Sequence, residues 1–125
     1  MDTFLSPIEN PDGIIMKLVY YFTRRQFGKV MTPVKVFAAR MPIAFGQFTG
    51  KIAQLDKKLT LPPLTAMLVR QQVARVNVCL FCIDISRYFA LKEMMDTNKL
   101  DALEKYQTSP LFTEAECAAL DYATE

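Results

Sequence analysis

Residues 61–82, which read LPPLTAMLVRQQVARVNVCLFC, contain the pattern that decides the fold. The pair Pro62-Pro63 is typical of a helix start, and the apolar spacing after it predicts a helix that ends near Val76. Asn77 is suited to an N-cap or to a left-handed kink, so a second helix is predicted from residue 78 to about residue 96. The stretch therefore predicts two consecutive helices joined at Asn77.

The rest of the chain reads as further helices separated by proline and glycine. Periodic apolar spacing predicts helices over residues 14–27, from 32 to about 41, from 42 to about 55, over 99–107, and from a capping box at Thr113 to the end of the chain. Gly28 is the expected stop of the first of these helices. No segment alternates apolar and polar residues as a strand does, so the predicted fold class is all-α, with residues 1–125 as a single domain.

The chain is rich in apolar residues for its size, since they make up 51% of its 125 residues and its mean hydropathy is +0.11. A small monomer has to cover a high ratio of surface to volume with polar groups. We therefore expect part of the apolar surface to be buried between the subunits of a homo-oligomer.

Charge is distributed unevenly along the chain. Residues 1–60 hold nine basic and four acidic side chains, a net charge of +5, and residues 61–125 hold six and nine, a net charge of −3. A basic half is compatible with binding to a nucleic acid or to an anionic membrane surface. The basic residues follow helical spacing, however, and only Arg24-Arg25 and Lys57-Lys58 are adjacent. We interpret them as solvated helix faces and expect neither nucleic acid nor membrane as a partner.

Three features of the sequence bear on the compartment. No segment reaches the ~18 uninterrupted apolar residues of a spanning helix. The N-terminus lacks a charged region followed by an apolar one, as a secretory signal would have. Three cysteines do not make the disulfide framework of a secreted domain. These features predict a cytoplasmic protein.

The main candidate for chemistry is the pair Cys79 and Cys82, in a chain that contains no histidine. Two thiols one helical turn apart can close into a disulfide and reopen, and the N-terminus of a helix favours thiolate over thiol. Arg75 and Arg87 lie on either side in sequence and are expected to add positive charge. The alternative is that both cysteines are small buried hydrophobic side chains, because their neighbours are apolar.

Composition argues against other kinds of site. With Cys117 the chain offers three thiols and no imidazole, which falls short of the usual four ligands of zinc, and Cys117 itself is expected to be a core residue. The sequence has no glycine-rich phosphate loop and no nucleophile–histidine pair, which excludes the usual nucleotide-binding and hydrolase sites. We expect neither a metal nor a cofactor.

Residues 61–82, together with SPLFTEAE at 109–116, resemble the carboxymuconolactone decarboxylase / alkylhydroperoxidase D-like family, and the similarity extends over about residues 14–125. In that family a helix that ends in asparagine precedes a Cys-X-X-Cys at the start of the next helix. The resemblance implies an alkylhydroperoxidase D-like all-α domain that forms trimers or hexamers. It also implies that Cys82 attacks a hydroperoxide, that Cys79 then closes the disulfide, and that a dithiol such as lipoyl or a thioredoxin-like partner reduces it.

Two positions depart from the proton relay of that family. The family has a glutamate where this chain has Met67, and a histidine where it has Ser86. Ser86 shares a helical face with Cys82 and is expected to hydrogen-bond its thiolate, but a hydroxyl is not a base near neutral pH. General-base assistance is worth about 10²–10⁴-fold, so we expect a slow peroxidase and no decarboxylase activity. Asp84 is expected to be a solvated charge on another face of the helix.

Two functions follow from these residues. The first is a thiol–disulfide redox protein in antioxidant defence, either a weak peroxidase or a disulfide oxidoreductase. The second is a non-enzymatic oligomeric scaffold or small-molecule binder, which the loss of the relay at Met67 and Ser86 favours. The last helix reaches Glu125 without a stop signal, whereas family members continue into further helices. The resemblance therefore implies a chain that is shortened at its C-terminus or is a natural variant.

Overall fold

The computed structural model describes residues 4–125, and every regular element in that range is helical, so the predicted all-α class is confirmed. Contacts divide the chain into two compact units, one up to Leu59 and one over Thr60–Glu125. Each unit has a buried core of its own. Within the described range, no helix is both long and apolar enough to cross a membrane.

The first unit contains α1 (Ile14–Phe27), a π-helical turn (Val34–Ala38) and α2 (Pro42–Asp56). The predicted bounds of α1 are confirmed. It ends at Gly28, whose φ of 76° is the left-handed conformation that glycine adopts without a steric penalty. The helix predicted from residue 32 to about 41 is wound partly as a π turn, because the Ala39 N–H donates to a carbonyl five residues back.

The core of the first unit is small and draws little from α2. It consists of five buried side chains, Met16, Tyr20, Val30, Val34 and Ala38. From α2, Phe45 is half-buried against this core, and every other side chain of the helix is exposed. An amphipathic helix normally buries its apolar stripe. In α2 that stripe is left uncovered.

The second unit is built on α3 (Pro63–Val76), which packs against α4 (Leu80–Lys92) and α6 (Glu114–Thr124). Between α4 and α6 lie α5 (Thr97–Asp101) and a 3₁₀ turn (Leu103–Lys105). Its core contains eight buried side chains, Met67, Leu68, Ala90, Leu100, Leu103, Tyr106, Phe112 and Leu120.

The start of α6 confirms the predicted capping box. The Thr113 hydroxyl oxygen accepts the Glu116 N–H at 3.2 Å, and the Glu116 carboxylate accepts the Thr113 N–H at 2.9 Å. The ammonium of Lys99, on α5, lies 2.8 Å from both oxygens of the same carboxylate. One buried carboxylate therefore both caps α6 and ties it to α5.

The end of α4 differs from the prediction, because the helix stops at Lys92 instead of about residue 96. Met94 adopts a φ of 55° and donates its N–H to the Leu91 carbonyl, and Met95 donates to the Ala90 carbonyl. These two hydrogen bonds form a Schellman motif, which normally carries glycine or asparagine at its left-handed position. Because Met94 is neither glycine nor asparagine, the sequence does not indicate that α4 ends here.

The helix predicted over residues 99–107 is also divided differently. The Asp96 carboxylate accepts the Asn98 N–H at 2.9 Å and begins α5 two residues early. The helix ends at Asp101, and the 3₁₀ turn then continues to Lys105. Two short helical pieces therefore replace the single predicted helix.

Candidate redox site

The site begins with the way α3 ends. Val78, with a φ of 53°, donates its N–H to the Arg75 carbonyl at 3.0 Å, and Cys79 donates to the Ala74 carbonyl at 2.8 Å. These are the two hydrogen bonds of a Schellman motif. The backbone of Cys79 therefore belongs to the end of α3, and its next residue, Leu80, is the first of α4.

The prediction that Asn77 caps the second helix is wrong. Asn77 is the C-cap of α3, with φ −83° and ψ 0°, and the left-handed conformation falls one residue later, on Val78. A left-handed conformation costs an L-residue roughly 1–2 kcal/mol, and a β-branched side chain is among the least suited to it. No signal in the sequence assigns that conformation to valine, and α4 therefore begins two residues later than predicted.

Cys79 and Cys82 are joined by a disulfide, with their Cα atoms 5.2 Å apart. The ability of the pair to close, predicted from its spacing, is therefore confirmed. Both residues are half-buried, and neither belongs to the core of the second unit.

Cys79 is the N-cap of α4, and its Sγ accepts the N–H of Cys82 at 3.3 Å. The first N–H groups of a helix have no partner within the helix, and the helix dipole makes this end partially positive. A negative sulfur at the N-cap is stabilised by both effects. When the disulfide opens, this position favours the thiolate of Cys79.

The hydroxyl of Ser86 is directed to the backbone of Cys82. It donates to the Cys82 carbonyl at 2.7 Å, a bond to the carbonyl four residues earlier that is common for serine within a helix. In this disulfide form the Ser86 hydroxyl therefore uses its hydrogen to bond the Cys82 carbonyl oxygen, and not a sulfur. The expected hydrogen bond to the Cys82 thiolate stays a prediction for the reduced protein.

Two further positions, Met67 and Asp84, are relevant to proton transfer at this site. Met67, where the family has glutamate, is 6% exposed and belongs to the core of the second unit. Asp84 is exposed, as expected for a solvated charge. The position of the family's glutamate therefore carries no base in this chain.

The positive charge expected beside the cysteines is balanced by carboxylates. Arg75 Nη2 lies 3.9 Å from the Glu104 carboxylate, and Arg87 Nη1 lies 2.5 Å from Asp101 Oδ1. The hydrogen bond between Arg87 and Asp101 raises the pKa of the guanidinium and lowers the pKa of the carboxyl. Both arginines therefore act mainly in links between α3 or α4 and the segment that follows α4.

The apolar neighbours before Cys82 are exposed, whereas Ile83 and Ile85 after it are half-buried, so the interpretation of this stretch as core holds only for its second part. Val76, Val78, Leu80 and Phe81 are 52%, 75%, 59% and 39% exposed, and we call these four side chains the apolar rim. Their apolar character suggested burial, and the sequence contained no sign that they lie at a helix junction. The rim gives the disulfide an accessible apolar border.

The third cysteine, Cys117, is not part of the redox pair. Cys117 is a half-buried free thiol on α6 that packs against the core of the second unit and donates to the Tyr106 carbonyl at 3.8 Å. This agrees with its expected place in packing. In residues 4–125, no three histidine, cysteine, aspartate or glutamate side chains are grouped as a metal site would require.

Among curated proteins, this chain is similar to the uncharacterized protein YnjA of Escherichia coli (strain K12), with 30% identity over 111 residues. The match covers 88% of this chain, and the chain spans about 60% of the length of that relative. No family model matches the chain, and no solved structure matches it. A match of this length includes the junction of α3 and α4.

Proposed function

We propose that this protein is a thiol–disulfide redox protein of the alkylhydroperoxidase D-like type, acting as a weak peroxidase or as a disulfide oxidoreductase. One observation carries the proposal: the Cys79–Cys82 disulfide is half-buried at the start of α4, with Cys79 Sγ on the N–H of Cys82. Such a pair can accept two electrons and return them. The order of helix, asparagine and Cys-X-X-Cys in residues 61–82 supports the family.

With a hydroperoxide, the chemistry takes two steps. The thiolate of Cys82 attacks the peroxide, so that an S–O bond forms, the O–O bond breaks and an alcohol or water leaves with a proton. The thiolate of Cys79 then attacks the sulfur of the Cys82 sulfenic acid, so that the S–S bond forms, the S–O bond breaks, and the hydroxide leaves as water after taking a proton from solvent. The protein loses two electrons and the peroxide gains them.

The disulfide is reset by an external dithiol. Its thiolate attacks Cys82 Sγ, which forms a mixed disulfide and releases Cys79 as a thiolate. Cys79 is the better leaving group because the N-terminus of α4 stabilises its negative charge. The second thiol of the partner then attacks the mixed disulfide, and the partner leaves oxidised with Cys82 reduced. The apolar rim offers such a partner a contact surface around the disulfide.

The peroxidase branch is expected to be slow. No histidine exists in the chain, Met67 is in the core and Ser86 donates to a carbonyl. Activation of Cys82 then depends on its position in the first turn of α4, without the factor of about 10²–10⁴ that a general base contributes. A lipoyl or thioredoxin-like dithiol in the cytoplasm is the reductant that fits this chemistry.

The test uses the full chain with Cys117→Ser, so that only the pair is redox-active. Reduced protein is mixed with hydrogen peroxide in a stopped-flow instrument, and mass spectrometry identifies the product. Disulfide formation several hundredfold faster than for free cysteine supports the peroxidase.

A second experiment tests exchange with a dithiol. The Cys79→Ser variant is mixed with the oxidised, disulfide form of the dithiol: the Cys82 thiolate attacks that disulfide, one partner sulfur leaves as a thiolate, and a mixed disulfide on Cys82 accumulates because Cys79 is not there to displace the partner. The Cys82→Ser variant is the matched control and should trap little. Peroxide and dithiol rates that both equal those of an unstructured thiol would contradict the redox proposal.

A second function is favoured by the same replaced relay. Met67 is packed in the core, and the side chain at position 86 is not a base. A non-enzymatic oligomeric scaffold or small-molecule binder needs no base at these two positions. For that function, the protein with both Cys79→Ser and Cys82→Ser should keep its assembly and its binding, while the thiols of the parent protein react no faster than free cysteine.

A further inference from the structure

The two arginines near the redox pair are held by their carboxylate partners in different ways. Arg87 Nη1 donates a hydrogen bond to Asp101 Oδ1 at 2.5 Å, so this guanidinium has a direct partner. Arg75 Nη2 lies 3.9 Å from the Glu104 carboxylate, which is beyond hydrogen-bond distance. Within residues 4–125, the N–H groups of the Arg75 guanidinium therefore have no close acceptor.

The pairing of Arg75 with Glu104 is weak enough to be exchanged. The side chain of Glu104 is 76% exposed and that of Arg75 is 34% exposed, so water screens their attraction. A guanidinium carries five N–H donors in a planar fork, which fits both oxygens of a carboxylate at once. Since Glu104 forms no such hydrogen bond, the carboxylate of a ligand can displace it and gain two.

The backbone places Arg75 beside the disulfide. The Arg75 carbonyl accepts the Val78 N–H at 3.0 Å, and the carbonyl of the preceding residue, Ala74, accepts the Cys79 N–H at 2.8 Å. These two hydrogen bonds fix the last turn of α3 against the start of α4. All of these residues belong to the second unit, so the arrangement is internal to that unit.

Apolar side chains separate the arginine from the sulfurs. Val76 and Val78, which belong to the apolar rim, lie between Arg75 and Cys79 in the chain. A ligand that reaches both the disulfide and the guanidinium therefore needs an apolar segment between its reacting group and its charge. A dithiol joined to a carboxylate by a short alkyl chain has this order of groups, and its methylenes gain free energy when valine side chains cover them.

We propose that Arg75 is a specificity-determining residue, which selects small dithiols that carry a carboxylate as reductants of the Cys79–Cys82 disulfide. This inference rests on the proposed redox function and narrows the class of its reductant. The dithiol passes two electrons and two protons to the protein: its two S–H bonds break, its own S–S bond forms, and the Cys79–Cys82 bond opens to two thiols. The carboxylate takes no part in these steps. Its ion pair with Arg75 holds the dithiol beside Cys82.

The test compares two dithiols that differ in charge, dihydrolipoate and its neutral amide dihydrolipoamide. Each reduces the oxidised full chain with Cys117→Ser, and stopped-flow rates give the ratio of the charged to the neutral reductant. Arg75→Gln should lower this ratio about fivefold, the scale of an ion pair at an accessible site. Glu104→Gln removes the competing carboxylate and should raise the ratio. The variant with both changes should behave as Arg75→Gln does.

Arg87→Gln is the matched control, because it removes the same charge from a guanidinium that Asp101 already occupies. It should change both rates by the same factor and leave their ratio unaltered. A second measurement uses octanoate, which has an alkyl chain and a carboxylate but no sulfur. Octanoate should slow reduction by dihydrolipoate in the parent and not in Arg75→Gln, whereas neutral octanamide should slow neither. Circular dichroism confirms that the variants keep their helices.

Three results would overturn the assignment: a ratio that Arg75→Gln leaves unchanged, an equal fall in Arg75→Gln and Arg87→Gln, or a ratio that Glu104→Gln does not raise. Failure of the redox function itself is distinguishable from these. In that case, both dithiols would reduce the parent disulfide no faster than they reduce oxidised glutathione. Fast reduction with a ratio that is insensitive to Arg75 would contradict the assignment alone.

Discussion

At the junction of α3 and α4, one valine holds the backbone conformation on which the site depends. The left-handed turn at Val78 brings the N–H of Cys79 to the Ala74 carbonyl and leaves Cys79 Sγ at the N-terminus of α4. Val78 is 75% exposed, so its side chain gains little from packing there. The residue carries a conformational cost that glycine would not have.

We predict that Val78→Gly raises the free energy of unfolding of the oxidised protein by roughly 0.5–1 kcal/mol. Relief of the left-handed strain outweighs the extra entropy of glycine in the unfolded chain. Urea denaturation measures the change. Val76→Gly, two residues earlier at the last helical position of α3, should destabilise instead by about 1 kcal/mol. A loss of stability in Val78→Gly would show that the valine side chain contributes more than its backbone costs.

Ser86 offers a direct test of the missing base. It is half-buried one helical turn after Cys82, so a histidine there would lie near the reacting sulfur. We predict that Ser86→His speeds disulfide formation with hydrogen peroxide by about tenfold or more, below the full range for an optimised base. Stopped-flow rates in the Cys117→Ser background measure this. Ser86→Asn is the control, since an amide does not accept the thiol proton; an equal increase in both would exclude base catalysis.

Among the elements, α6 is tied to the fold through the carboxylate that caps it. Burial by itself raises the pKa of Glu116, but hydrogen bonds from Lys99 and Thr113 outweigh it and hold the pKa below its usual value. A carboxyl whose pKa is lower in the folded state adds stability above its unfolded pKa, near 4.3. That stability is lost as the pH falls through the folded value.

We predict that Glu116→Gln lowers the free energy of unfolding by about 2 kcal/mol at pH 7, because a charged hydrogen-bonded pair is broken and Lys99 loses its counter-ion. The difference from the parent should shrink below pH 4, where the parent carboxyl is also protonated. Urea denaturation at pH 7, 5, 3.5 and 2.5 tests this. Glu114→Gln, at the exposed start of α6, should have little effect at any of these values. A constant difference across the pH range would contradict the role of the charge.

Most helices could be predicted from apolar spacing, but the residues at which they end could not. Starts marked by proline or by a capping box were predictable, because those residues have one strong preference each. The ends of α3 and α4 were not, because Val78 and Met94 hold left-handed conformations that their own preferences oppose. Hydrogen bonds to carbonyls earlier in the helix maintain both turns, and the residue type does not reveal them.

At the scale of the molecule, the redox pair belongs entirely to the second unit. Thr60–Glu125 has three fully buried leucines, Leu68, Leu103 and Leu120, and contains both cysteines of the disulfide. We predict that this segment alone unfolds cooperatively in urea, although its size is near the lower limit for independent folding. Its thiols should oxidise at the same rate as those of the whole chain.

The matched control for this experiment is the same segment with Leu68→Ala. Removing a fully buried leucine costs about 2–5 kcal/mol and should abolish the cooperative transition. A parent segment that shows no transition of its own would mean that the first unit is required for folding. A folded segment with altered thiol rates would mean that the first unit acts on the site.

The sequence by itself determined the all-α class, most helix starts, the redox-capable cysteine spacing and the missing base, because each depends on residue type and local spacing. Only the tertiary structure decided that Val78 makes the turn, that Cys79 and not Asn77 caps α4, and that Arg75 and Arg87 face carboxylates. It also decided which apolar residues are buried. Met67 lies in the core while Phe48, Ile52 and Leu55 of α2 are exposed, since burial depends on which helices pack together and apolar character alone does not specify that.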